Sequence, residues 1–271
     1  MSFASLPDRR ADLDPNGPAV SDGTRSLTNA GLLERIRAAR RHLHELGIGA
    51  GDVVAVKLRN RVEFVVLLFA SWRLGATVTP VNPSLANVEV IRQLDASGTR
   101  LLVVEDGIPA PGGVATLAVG HLYAKGPGWD GPPLVDPSAL ALLIFTSGTT
   151  GVPKGVMLDH ANIDAMAEMG HRALGIGPTD RCLLILPLFH VNGIVISVLT
   201  PLLAGASVVI AEKFDPHTFF GIVERHSPSF FSAVPTIYNM LAALPANVWS
   251  CRLRWRAWLV AMRRYAPSPR I

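Results

Sequence analysis

A chain of 271 residues that is 49% hydrophobic and 17% charged has ample apolar material for a buried core and is long enough for one large domain or two ordinary ones. The formal net charge of +4 hints at nucleic acid or an anionic membrane, but six of the 25 basic residues, Arg252, Arg254, Arg256, Arg263, Arg264 and Arg270, lie in the last twenty positions. Removing those six takes the charge from +4 to −2, so a field-based argument about partners applies only to the tail, and no nucleic-acid partner is expected.

The N-terminus, Met1 to Arg10, lacks a charged start followed by an apolar core, so no secretory signal is visible. Leu32, Leu33, Ile36, Ala39, Leu43 and Leu46 recur at helical spacing, and Gly47 supplies a stop. Asp52 to Leu58 reads as a buried strand. After it come an apolar helix from about Val62 to Leu74, a strand from Ala76 to Val81, a helix from Val88 to Ala96 and a strand from Leu101 to Val104. This alternation predicts layered α/β architecture with parallel pairing. From Asp106 to Pro137 the chain is rich in Gly and Pro and reads as a surface connection with little regular structure. Ala139 to Phe145 is again a strand, and it runs straight into a Thr/Gly-rich segment.

Between Arg181 and Glu212 no Asp, Glu, Lys or Arg occurs. Pro187, His190, Asn192, Gly193, Pro201 and Gly205 break that run into a strand, a turn, a short helix and another strand, so no transmembrane span is predicted. Cys182 and Cys251 lack a metal-ligand spacing and read as a core residue and a tail residue in a reducing cytoplasm.

The segment Thr146-Ser147-Gly148-Thr149-Thr150-Gly151-Val152-Pro153-Lys154-Gly155 has what phosphate binding demands. Glycines let backbone amides approach oxygens, hydroxyls donate further hydrogen bonds, and one ammonium offsets charge. It is not a Walker A loop, because Gly155 follows Lys154 and because Val156-Met157-Leu158 reads as a strand where a helix is required. The bland alternative is a Gly/Thr hairpin without function.

Those ten residues, continued by Val156 to Asn162, are similar to the signature of the AMP-forming adenylation superfamily, which includes acyl-CoA synthetases, luciferases and peptide-synthetase adenylation domains. The resemblance implies that Thr146, Ser147, Gly148, Thr149, Thr150, Gly151 and Lys154 handle the phosphates of ATP, with Thr146 also facing Mg²⁺ and Lys154 catalytic. Leu186-Pro187-Leu188-Phe189-His190-Val191-Asn192-Gly193 resembles the family's second motif. There His190 would border the substrate carboxylate where the acyl pocket meets the approach of CoA, with Val191, Asn192 and Gly193 beside it. A lone His among apolar residues is otherwise a satisfied core histidine. Ala233 to Leu241 resembles the turn that walls the acyl pocket, which would make Val234, Pro235 and Thr236 pocket residues; an ordinary helix N-terminus with Pro in its first turn reads equally well. Upstream, Gly51 to Val56, Asn60, Glu63-Phe64 and Leu74 to Pro83 follow the family's order, and the resemblance covers about Leu27 to Leu244.

The resemblance implies layered helix–sheet subdomains of a truncated N-terminal adenylation domain over residues 1–248. Its implied activity is conversion of a carboxylic acid, fatty or otherwise apolar, with ATP to acyl-AMP and then, with CoA, to the thioester. No Tyr-Gly-x-Thr-Glu or Thr-Gly-Asp segment is found, and the mobile C-terminal lid domain is absent. A non-catalytic pseudoenzyme or ligand-binding chain is therefore a competing reading, and an adenylation domain loading a carrier protein is another. Residues 249–271 form a divergent basic tail, where Trp and Arg without acids suggest a frameshift near Arg256; the other two DNA frames beyond that point should then encode an adenylation-enzyme continuation. The rival reading is an amphipathic basic anchor in which Trp and Arg make weak contact with an anionic membrane or bind nucleic acid.

Overall fold

The computed structural model describes residues 3–109, 111–123, 131–134, 136–146 and 154–245. In chain order the elements are α1 (Leu6–Leu13), β1 (Pro18–Ser21), β2 (Ser26–Thr28), α2 (Asn29–Glu45), β3 (Val53–Lys57), α3 (Val62–Trp72), β4 (Thr77–Pro80), α4 (Asn87–Ser97), β5 (Thr99–Val104) and β6 (Ala115–Ala118). They continue as β7 (Leu140–Thr146), β8 (Lys154–Asp159), α5 (His160–Leu174), β9 (Arg181–Leu184), α6 (Val191–Ile194), a π-helical segment (Val195–Leu199), α7 (Thr200–Leu203), β10 (Ser207–Ile210), α8 (Pro216–His226), β11 (Phe230–Phe231) and α9 (Pro235–Ala242).

Two sheets result, in the orders β6-β5-β3-β4-β7-β8 and β11-β9-β10-β1-β2. Pairing is parallel except at the hairpins β7/β8 and β1/β2. Because side chains alternate across a strand, each sheet buries both faces. In the first sheet Val54, Val56, Leu101 and Val103 join the main core, while Ala55, Leu102 and Val104 pack outward with Val90 and Leu94 of α4. In the second, Cys182, Leu184, Val208 and Ile210 join the main core, and Leu183 and Val209 pack outward with Phe219, Val223 and Leu241 of α8 and α9. The layers are helix, sheet, shared inner helices, sheet, helix.

Helix α3 explains why the inner layer is so apolar. All eleven of its residues are buried, as a helix between two sheets requires. Its acid, Glu63, is buried with two guanidinium partners, Arg25 at 2.9 Å and Arg61 at 2.7 Å. Asp22, from the β1/β2 turn, accepts the Val62 amide at 3.0 Å and so caps α3 from a distance. Helix α2 ends as predicted, with Gly47 at φ +80°.

Two expectations need correction. The connection after Asp106 holds β6, paired in parallel with β5 from Leu101–Ala115 to Val104–Ala118, and a 3-10 turn at Val119–His121. Flanking Gly and Pro masked a short apolar run whose Leu117 and Val119 are core residues. The helix following His190 is also longer than a short one, running from Val191 to Leu203 through the π-helical segment. Thr200 N–H bonds Val195 O there, a wide turn immediately ahead of Pro201, which has no N–H to offer. No helix among the described residues is long and apolar enough to cross a membrane.

At the β8–α5 junction His160 is buried with its ring edge-on to Trp72, centroids 5.4 Å apart. Burial lowers its pKa against the opposing pull of Asp159 and Asp136. Desolvation also lowers the pKa of His190, and that of His226 with help from Arg225 and Arg181. Because the unfolded chain, with histidines near pKa 6.5, takes up these protons first, stability should be fully present above about pH 6.5 and fall as the pH drops towards the folded values. Urea midpoints at pH 7.5 and 5.5 should show this drop, and His160→Gln should shrink it; an unchanged drop would remove His160 from the explanation.

Candidate active site

The predicted phosphate segment is mounted on the β7/β8 hairpin. Strand β7 is buried from Ala141 to Ile144 and emerges at Thr146. Strand β8 returns antiparallel with Lys154 opposite Thr146 and Asp159 opposite Leu140. The Thr146 hydroxyl lies 3.5 Å from Lys154 O, and both side chains are exposed at the hairpin's open end. Ser147, Gly148, Thr149, Thr150 and Gly151 lie outside the described residues. The β7/β8 register thus sets a hydroxyl-bearing and an ammonium-bearing residue opposite one another, residue types that can donate to an anionic oxygen. Among the described residues no group of three His, Cys, Asp or Glu side chains is placed to hold a metal ion.

His190 stands on the other sheet's side. Strand β9 ends at Leu184, and Ile185 to Phe189 carry the chain to His190, the N-cap residue of α6. The turn is closed by His190 N–H to Pro187 O at 3.1 Å, and helix α6 opens with Ile194 N–H to His190 O at 3.2 Å. The imidazole stacks obliquely on Phe189, centroids 4.4 Å apart, and remains accessible while partial desolvation lowers its pKa. Desolvation thus favours the neutral imidazole, a form that can both donate and accept a hydrogen bond. Gly193 is buried; a Cβ there would lie 2.5 Å from Pro187 O, so only glycine lets α6 seat on this turn.

The structure joins the second and third predicted segments. Ser232 Oγ donates to Asn192 Oδ1 at 3.3 Å, bringing the β11–α9 turn against α6. Val234 is the N-cap residue of α9, and Val234, Pro235 and Thr236 are exposed beside that contact. Thr146 and Lys154 belong to the six-stranded sheet, while His190 and Val234 belong to the region of the five-stranded one. Helix α5, which leaves the hairpin, packs on the π-helical segment and α7 and so connects the two parts.

A cleft of about 620 Å³ opens at the carboxyl ends of the strands from both sheets, the usual ligand position in open α/β sheets. Pro187, Phe189, Ile185, Phe214 and Ile237 supply apolar walls, and Asn82, Ser84, Arg59, Glu212 and Lys213 a polar rim. Sequence reading gave Ser232 and Asn60 no role. Asn60 offered one signal, an amide placed directly between a buried strand and an apolar helix.

The model of the AMP-binding enzyme family matches residues 7–253. The chain belongs to that family. Among its relatives, this member of the AMP-binding enzyme family is 34% identical to a sulfoacetate–CoA ligase of Cupriavidus necator, aligned over 92% of this chain and 52% of the relative. It is 33% identical to a feruloyl-CoA synthase of an Amycolatopsis species, over 95% and 52%. Among solved structures, an O-succinylbenzoate CoA synthetase from Bacillus subtilis in complex with ATP and magnesium superposes with a TM-score of 0.82 at 28% identity, over 93% of this chain and 67% of that one. The N-terminal subdomain of Klebsiella oxytoca NpsA, at 22% identity and TM-score 0.81, shares the fold. The chain spans about half the length of the curated relatives it matches.

Proposed function

We propose that this AMP-binding chain carries the phosphate-handling and carboxylate-bordering parts of an acid–CoA ligase. In that reaction the acid's carboxylate oxygen attacks the α-phosphorus of ATP, pyrophosphate leaves, and a CoA thiol then displaces AMP from the acyl-AMP to give the thioester. The observation that carries the reading is Thr146 opposite Lys154 at the open end of β7/β8, in the segment that matches the family signature. Thr146 and Lys154, with Ser147 to Gly151 between them, would hold the ATP phosphates, and Thr146 would face Mg²⁺. The metal supplies charge neutralisation on the phosphates when bound. Neutral His190 would border the carboxylate, flanked by Val191, Asn192 and Gly193 and by Val234, Pro235 and Thr236.

Ile185, Phe189, Phe214 and Ile237 in the adjoining cleft support an apolar acyl group, with fatty acids one candidate class. The named relatives act on acids as different as sulfoacetate and ferulate, so the acid is best found by a panel. Nucleotide binding without turnover is the second reading, favoured by the separation of Thr146 and Lys154, on the β7/β8 hairpin, from His190, beyond β9, so that one part can act without the other.

Calorimetric titration with MgATP tests the shared part of both readings. Binding is expected, and Lys154→Ala should weaken it about 10- to 100-fold, the range that losing a charge-assisted hydrogen bond of about 1.5–3 kcal/mol implies. Absence of MgATP binding by the folded chain would sink the proposal. Acid-dependent ATP–pyrophosphate exchange across a panel of carboxylic acids then separates turnover from binding.

A further inference from the structure

Beyond β9 and β10 the ladder between them stops, and something else holds their ends. The last ladder bond is Ala211 N–H to Leu184 O at 2.9 Å. Past it, Leu186 O and Ala211 O both accept from the Asn60 amide, at 3.0 and 3.1 Å. Asn60 Oδ1 in turn accepts the Leu188 amide at 2.8 Å. Asn60 is itself buried and lies at the exit of β3, on the opposite sheet.

The pattern around Pro187 is that of a parallel β-bridge. In such a bridge one residue donates its N–H to the carbonyl before a facing residue and accepts at its own C=O from the amide after it. Here the facing residue is Pro187, its neighbours are Leu186 and Leu188, and the donor–acceptor pair is a side-chain carboxamide. Both amide hydrogens and the carbonyl oxygen are engaged, so the buried group is fully satisfied in this one position. Rotating it would leave at least two backbone groups without these partners.

We infer that Asn60 is the positioning residue for His190, acting through the Leu186–Leu188 backbone. The imidazole's place is set by the turn Pro187–His190, and that turn can be no more fixed than the segment that starts it. The same carboxamide also holds Ala211, whose next residues, Glu212 and Lys213, edge the 620 Å³ cleft. One side chain from the six-stranded sheet thus sets both the His190 turn and the rim beside it. The inference rests on the assignment of His190 to the acid-activating site.

The test uses the full chain. In the wild type the Leu188 amide, though outside any strand, should exchange as slowly as amides within β9; exchange at the rate of an exposed loop amide overturns the inference whatever the variants do. In Asn60→Ala, Leu188 should exchange at least about tenfold faster, and the His190 ring resonances should shift. Leu94→Ala, which opens a cavity in the outer layer, serves as the control for general destabilisation and should leave both readouts in place. Equal responses in the two variants, or an unmoved His190 in Asn60→Ala, overturn the inference. If the wild type shows no acid-dependent exchange of pyrophosphate, it is the ligase reading that fails, and the amide and imidazole measurements still decide the role of Asn60.

Discussion

Trp72→Ala should cost about 3–5 kcal/mol of stability, the largest loss expected from a single core substitution here. Trp72 is fully buried at the end of α3, with its indole edge-on to Phe69 and His160 and its Nε1–H donated to Ala141 O at 2.8 Å. Truncation would open a cavity between α3, β7 and α5 and leave the Ala141 carbonyl without that donor. Those are the elements on which the Thr146–Lys154 hairpin stands, so MgATP affinity should fall with the fold. Trp72→Phe separates the contributions: it keeps most of the packing and loses chiefly the hydrogen bond, at about 1–2 kcal/mol. Urea denaturation monitored by circular dichroism measures both. A loss below about 1 kcal/mol in Trp72→Ala would show that the inner layer can collapse around the missing ring.

Gly193→Ala should act on the site more than its size suggests. The added methyl carbon would meet Pro187 O at 2.5 Å, Pro187 C at 3.2 Å and Leu186 O at 3.5 Å. All three are backbone atoms, so no rotamer change relieves the contact; either α6 lifts or the Pro187–His190 turn shifts. An overpacking cost of about 1–3 kcal/mol is expected, together with displaced His190 resonances and weaker acid-dependent exchange. Gly170→Ala provides the comparison. Its new carbon would meet Thr200 Oγ1 at 3.0 Å and Ile196 Cδ1 at 3.2 Å, side-chain atoms where α5 packs on the π-helical segment and α7, so it should destabilise without moving His190. A Gly193→Ala protein with wild-type stability and unmoved His190 signals would show that the turn has slack to absorb the methyl group.

Each segment with strong local periodicity was legible from the chain alone. The helix around Leu32 to Leu46, the buried strand at Val53–Lys57 and the strongly apolar α3 follow from residue spacing, because helix and strand periods act over a few residues. The strand reading of Val156-Met157-Leu158, made against the Walker A alternative, agrees with β8. The ten-residue Thr146–Gly155 segment marked a candidate phosphate loop because that chemistry needs its residue types consecutively.

Tertiary structure decided what depends on distant partners. That β1 joins β10 and not β3, and so seeds a second sheet, is set by pairing across nearly 190 residues, for which local pattern carries no signal. Strand β6 was hidden because four residues between Gly and Pro stretches become a strand only when β5 lends them a ladder. Asn60 and Gly193 owe their roles to backbone atoms brought to them by folding, Leu186, Leu188 and Ala211 for one and Pro187 for the other. The sequence by itself determined the family resemblance and the candidate phosphate segment; the meeting of β3, β9 and β10 determined where His190 stands, because hydrogen bonds and steric contact act only between groups that the fold has already brought together.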